Sequence, residues 1–322
     1  MLPPVSRDPA AAPAPRFEVR DIEASLGAPG WPLPGTLSVP RGAGRVPAVV
    51  LVHDAGPLDQ DGTVEAQKPF RDLARGLAPR GVAVLRYDKR TRAHARRLAA
   101  IEDLTIDDEV VDDALAATAA LRLRKDIDPA RVYVLGHGVG GLIAPRIAED
   151  DPELAGLVLL APAARSIARL VVAQTEYLLS LATTPADADA QEIMLAQLEH
   201  DAALTESDDL DEDEDPILGA PASYWIDLQG YDPVATTLAL TPARRIFVAQ
   251  GGRDYQVTDV DFARWQKGLA GRKHARTKIY PALDHLFVAG EGKSTPDQYR
   301  QAGQMDDALL DDVATWLREP RT

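Results

Sequence analysis

The chain contains no cysteine. Disulfides, thiolate metal sites and a cysteine nucleophile are therefore excluded. It also lacks any apolar run long enough to span a bilayer. Positive charge is in deficit, with 35 Lys and Arg against 50 Asp and Glu and a net charge of -15. Nucleic acid and anionic membrane both require a cationic footprint, so neither is expected as a partner. The opening stretch, residues 1–15, is rich in Pro and Ala but has neither a basic start nor an apolar centre. It reads as a flexible lead-in rather than a signal peptide, which suits a cytoplasmic chain. The six histidines offer no metal-ligand spacing, since His94, His200 and His274 stand without ligand-type neighbours, so no metal is expected.

What is present is the composition of a soluble globular protein, 45% hydrophobic and 26% charged over 322 residues. That length can bury one large core with a modest insertion. Heavy use of Ala, Arg, Asp and Gly points to a GC-rich bacterial genome. The acidity is concentrated. Eight of the ten residues in 206–215 are acidic and supply about half of the net charge; this is expected to be a solvated loop.

Phe17 to Ala24 and Thr36 to Pro40 read as a short antiparallel edge. Val46 to Val52 is continuously apolar, as a strand buried on both faces must be. Val82 to Tyr87, Arg131 to Gly136, Leu157 to Leu160, Arg245 to Ala249 and Thr277 to Tyr280 follow as strands. Helical spacing falls between them at Lys68 to Leu77, Ile106 to Arg122, Leu142 to Ala148, Phe262 to Leu269 and Ala308 to Leu317. Alternation of this kind predicts a mostly parallel central sheet with helices on both faces. It breaks over 163–240, where two helices, Ile167 to Leu181 and Ala190 to Leu204, predict an inserted helical cap. Asp88, Lys89 and Arg90 are expected to form structural ion pairs, and His53 to hydrogen-bond locally.

The centre of the pattern is Gly136-His137-Gly138-Val139-Gly140-Gly141, a strand driving into a glycine-rich turn and then a helix. Such a turn gathers backbone N–H groups and a positive dipole end at one point. Gly136, Gly138 and Gly141 fit the G-x-G-x-x-G dinucleotide fingerprint. That reading needs an acid at the end of the next strand, which instead ends Leu159-Leu160-Ala161-Pro162. Gly136 and Gly140 equally fit G-x-S-x-G, the nucleophile elbow, with Gly138 where serine belongs. This second reading requires an acid and then a histidine after later strands. Asp254 and His285 stand there in that order.

Several stretches together resemble the bacterial α/β-hydrolase esterases, over nearly everything from Val46 to Leu317. They are His53 to Pro57, Lys68 to Phe70, Leu85 to Thr91, Gly136 to Gly141, Pro221 to Trp225, Gly252 to Val257 and His285 to Phe287. The resemblance implies an α/β-hydrolase fold, with core residues 16–162 and 241–320 and the cap at 163–240. It implies hydrolysis by a nucleophile–histidine–acid triad, with His285 as base, Asp254 as its orienting acid, and Ala55 and Val139 as oxyanion N–H donors. Asp54, His137, Tyr224 and Trp225, with Tyr231, are expected around the substrate pocket. No cofactor is expected, and nothing indicates an oligomeric state.

Three departures stand against the family pattern. Gly138 has no hydroxyl, Asp54 replaces the glycine expected after His53, and Asp59-Gln60-Asp61 replaces Asp-Arg-Asp. Glycine relieves the strain of the elbow conformation once a serine is no longer needed there. The expected function is then proton abstraction from a small-molecule substrate by the His285–Asp254 dyad, leading to elimination, cyclisation or isomerisation. Two alternatives remain. One is acyl-ester hydrolysis, with the serine replaced by engineering or with water activated by His285. The other is non-catalytic small-molecule binding.

Overall fold

A computed structural model describes residues 16–181 and 188–320, so the expected lead-in over residues 1–15 lies outside the described residues. Among the described residues eight strands form one sheet: β1 (Val19–Leu26), β2 (Leu33–Pro40), β3 (Val46–Val52), β4 (Ala83–Tyr87), β5 (Ile127–His137), β6 (Gly156–Leu160), β7 (Arg245–Gly251) and β8 (Ala275–Tyr280). Their order is β1-β2-β4-β3-β5-β6-β7-β8. The β1–β2 and β2–β4 pairs are antiparallel, and every pair from β4 to β8 is parallel. The expected antiparallel edge and parallel centre are both present, and the fold is the α/β-hydrolase fold.

All seven residues of β3 are buried. Successive side chains point to opposite faces. Val50, Val134 and Leu157 thus join one hydrophobic cluster with Ile143 and Trp265, while Leu51, Leu135 and Val158 join another with Phe70 and Trp316. Each face is covered by helices whose large side chains are fully buried, notably Trp265 and Trp316.

The main helices are α1 (Pro69–Leu77), α2 (Asp112–Arg122), α3 (Val139–Asp150), α4 (Ile167–Ser180), α5 (Ala188–Thr205), α6 (Ala222–Leu228), α7 (Pro233–Ala239), α8 (Asp259–Gly268) and α9 (Asp307–Arg318). The helix expected from Ile106 opens instead with a widened π-type turn, Asp107–Val111, before α2. Thr105 and Asp108 cap it reciprocally, the Thr105 N–H and hydroxyl donating to Asp108 Oδ2 and the Asp108 N–H to Thr105 Oγ1. Among the described residues between β6 and β7 there are four helices rather than the expected two. The extra ones, α6 and α7, span seven residues each, too few to show a periodicity. Asp232 caps α7 through Val234 N–H and Ala235 N–H. In the acidic stretch 206–215, Glu206 pairs with Arg169 of α4 at 2.8 Å.

Strand register decides where the loops meet. Val52 of β3 lies beside Gly136 of β5, so Asp54 and Gly138, each two residues beyond, emerge next to one another. On the other side of β6, Gly251 of β7 lies beside Tyr280 of β8. The loops carrying Asp254 and His285 therefore leave the same edge of the sheet. Parallel sheets bind ligands at this carboxyl edge.

Candidate active site

The turn at the end of β5 is built on a backbone that excludes most residues. Gly138 has φ 54° and ψ -116°, a conformation costly for any residue with a Cβ. Its N–H donates to Leu160 O, and its carbonyl accepts from Leu142 N–H, the first bond of α3, both at 3.0 Å. Close packing adds a second constraint, because a Cβ at Gly140 would run into the backbone carbonyls of Val52 and His53. The chain therefore enters α3 directly beneath the loop that follows β3.

A Cβ at Gly138 would fall on the carboxyl group of Asp54. This side chain, reaching across from the end of β3, occupies the place that a residue-138 side chain would take. Asp54 Oδ1 accepts two backbone N–H groups, from Ala55 and from Val139, at 2.8 Å each. Asp54 Oδ2 lies 3.0 Å from His285 Nε2. The other imidazole nitrogen, Nδ1, lies 2.7 Å from Asp254 Oδ2. His285 thus bridges two carboxylates.

Each member is held from behind. Asp254 accepts Gln256 N–H and Val257 N–H on Oδ1 and the Gln250 amide on Oδ2. Asp284 pins the histidine loop by accepting Leu286 N–H and Val288 N–H. The carbonyl of Asp54 accepts Lys89 Nζ at 3.1 Å, and Lys89 pairs with Glu109 at 2.8 Å. Arg90 pairs with Asp113 in full burial, so two of the three residues 88–90 form the expected structural ion pairs. His53 Nε2 bonds locally, to Asp59 O at 3.1 Å.

Protonation follows from this packing. Burial alone would lower the His285 pKa. The Asp254 charge and hydrogen bond, joined by those of Asp54, overcome that and raise it to about 10. Burial alone would raise Asp54, but the His285 hydrogen bond and charge, with the Val139 N–H, hold it well below the usual carboxylate range. At neutral pH His285 is thus an imidazolium facing the Asp54 carboxylate. His137 goes the other way, lowered to about 4 by burial and by the His285 charge.

The expected site residues divide. Asp54, Ala55, Gly138, Val139, Asp254 and His285 come together. His137 adjoins them but is buried beneath, its ring 4.5 Å from that of His285 and its Nε2 bonded to His285 O at 2.8 Å. Tyr224 and Trp225 spend their polar groups elsewhere, on Glu109 and on Ile217 O. Trp225 and Tyr231 line a different cavity of about 330 Å³, with Arg165 and Leu228. Their place in α6 and the loop after it faces that cavity rather than His285. Sequence reasoning missed a stack near the histidine loop, where the Tyr177, Tyr255 and Tyr299 rings lie 5.1 and 6.3 Å apart around Tyr255. The signal was faint: Tyr255 follows Asp254, but its partners come from distant segments.

Asp54, His137 and His285 also bring one ligand-type atom each within 4.8 Å of one another. Their closest pair is joined directly, with the imidazolium proton between Asp54 and His285. Among the described residues no helix is long and apolar enough to cross a membrane.

Residues 58–292 match the family model for serine aminopeptidase S33 hydrolases. Esterase EstD of Thermotoga maritima is 41% identical over 306 residues, which cover 94% of this chain and 68% of the relative. Among solved structures, an esterase of Pyrococcus furiosus superposes with a TM-score of 0.57 at 14% identity, covering 95% of this chain and 92% of its own. An esterase of Pyrobaculum calidifontis gives a TM-score of 0.55 at 17% identity, with 93% and 85% covered. At such identities the structural likeness speaks for the fold alone.

Proposed function

Because this chain belongs to the serine aminopeptidase S33 family of α/β-hydrolases and is related to carboxylic ester hydrolases, we propose that it hydrolyses an ester of a small molecule, with water supplying the attacking oxygen. One observation carries this reading. The Asp54 carboxyl group rests with one oxygen on two N–H groups and the other on His285. This is the arrangement in which a carboxylic acid product would lie, so the surroundings are complementary to a carboxyl carbon. A developing oxyanion needs such paired donors in fixed positions, and Val139 N–H adds the positive end of a twelve-residue helix.

For turnover, the Asp54 side chain rotates outward while Lys89 keeps hold of its backbone carbonyl. The substrate carbonyl oxygen then takes the Ala55 and Val139 N–H groups. His285 loses one of its two carboxylate neighbours, releases its proton more easily and becomes the base for water, with Asp254 orienting the ring. The residues of 163–240 would cap this site and shape the acyl or alcohol pocket.

The test is hydrolysis of aryl esters by Asp54→Gly, which opens the N–H pair. Cleavage faster than by the unaltered protein, with oxygen from heavy-oxygen water in the acid, is expected. No cleavage above the uncatalysed rate would overturn the reading. Gly138 favours a second reading, proton abstraction from carbon by the same dyad in an elimination, cyclisation or isomerisation. This reading predicts His285-dependent exchange of a substrate C–H with solvent, without incorporation of water oxygen.

A further inference from the structure

Asp54 reaches the space beside Gly138 from another strand end, and its two oxygens arrive in unlike surroundings. Oδ1 is held by two backbone N–H groups, whereas Oδ2 faces the imidazole at 3.0 Å. Of the bridged pair, Asp54 is the member that solvent reaches, its side chain 23% exposed against 2% for His285. We infer that Asp54 is itself an oxygen nucleophile, attacking the saturated carbon of a small alkyl electrophile whose leaving group departs as a stable anion such as a halide.

The saturated carbon follows from what already occupies the N–H pair. An acyl substrate gathers negative charge on its own carbonyl oxygen and needs those donors, but with Asp54 in place Oδ1 holds them. Displacement at a saturated carbon builds no charge there. Asp54 Oδ2 forms a bond to the alkyl carbon as the carbon–halogen bond breaks, and the halide leaves with the electron pair. The product is an alkyl ester of Asp54 whose carbonyl oxygen, Oδ1, is already seated on Ala55 and Val139 N–H.

Asp54 then carries no charge, and His285 passes its proton to solvent. His285 next takes a proton from water as the water oxygen bonds to Cγ, and the charge gathers on Oδ1 against the two N–H groups. Collapse expels the alcohol, which receives that proton from His285. The balance is alkyl halide plus water giving alcohol, halide and a proton. The alcohol carries an Asp54 oxygen, and the water oxygen stays in the carboxylate.

This activity shares the His285–Asp254 relay with ester hydrolysis but needs Asp54 to stay where the ester reaction needs it to leave. Asp54→Gly therefore separates the two, as a gain of ester cleavage and a loss of halide release. The experiment is single turnover of the full chain in heavy-oxygen water with primary alkyl bromides of graded length. One equivalent of bromide is expected, with heavy oxygen in the peptide containing Asp54. His285→Gln should stop after the first step, keeping one alkyl group on residue 54. Asp54→Asn should release no bromide. Neither should Gly138→Ala, which keeps both Asp54 and His285 but sets a Cβ against the carboxylate. Absence of bromide release across the series, an adduct at another residue, or heavy oxygen in the first-turnover alcohol would each overturn the assignment. The ester reading would be untouched, because it is tested on a different variant and bond.

Discussion

The loops after β7 and β8 and the loops after β3 and β5 contribute equally to one cluster, yet they are built on different terms. Asp254 and the loop of His285 are fastened from behind by backbone N–H groups and by the Gln250 amide. Asp54 and Gly138 share one space, the carboxyl group lying where a Cβ at 138 would fall. Under both proposed reactions the His285–Asp254 half would serve whichever oxygen attacks. The half at β3 and β5 is built around a carboxylate held by two backbone N–H groups.

The largest effect should come from undoing that arrangement. Gly138→Ser alone places a side chain against Asp54 and should leave a fluorophosphonate probe unreacted, as should Asp54→Gly alone. The double variant should label stoichiometrically, because the serine then has both His285 and a free N–H pair. Equal labelling of Gly138→Ser and the double variant would show that Asp54 does not obstruct the turn. Next in size is the relay. In the Asp54→Gly background, His285→Ala should lower kcat/KM for aryl esters by about 10²–10⁴-fold, the range of a positioned base.

A smaller effect separates the halves by pH. His285 acts as base only when deprotonated, so ester cleavage by the unaltered protein should climb with pH through about 10. Asp54→Asn removes one of the two charges raising that value, and the midpoint should move downward towards 6.5 without reaching it, since Asp254 remains. Stability follows the same sign. A raised histidine contributes fully below its ordinary value of 6.5 and loses that contribution as pH rises through about 10. The gap in Tm between the unaltered protein and Asp54→Asn should accordingly narrow over that interval. The smallest effect concerns the placing of α6. Trp225→Phe loses the bond to Ile217 O and should cost about 1 kcal/mol, with no change in ester rate or pH midpoint.

Much of this was legible in the residues. Unbroken apolar strands such as β3 and β6, and an acid and a histidine in order after later strands, specify a parallel sheet and the contents of its carboxyl edge. The short helices α6 and α7 were not, because seven residues leave no periodicity to detect. Nor could spacing show that Tyr224 turns to Glu109, a partner 115 residues away. Asp54 was legible only in part. A carboxylate beside an oxyanion site stood out, as did a missing hydroxyl at residue 138, but only the register of Val52 against Gly136 puts one into the room left by the other.

That shared room also ties the two positions to one another. With the carboxyl group where it stands, any side chain at 138 forces Asp54 out of its place. A larger residue at 138 therefore demands a reply at 54, and the effects of substituting the two will not add.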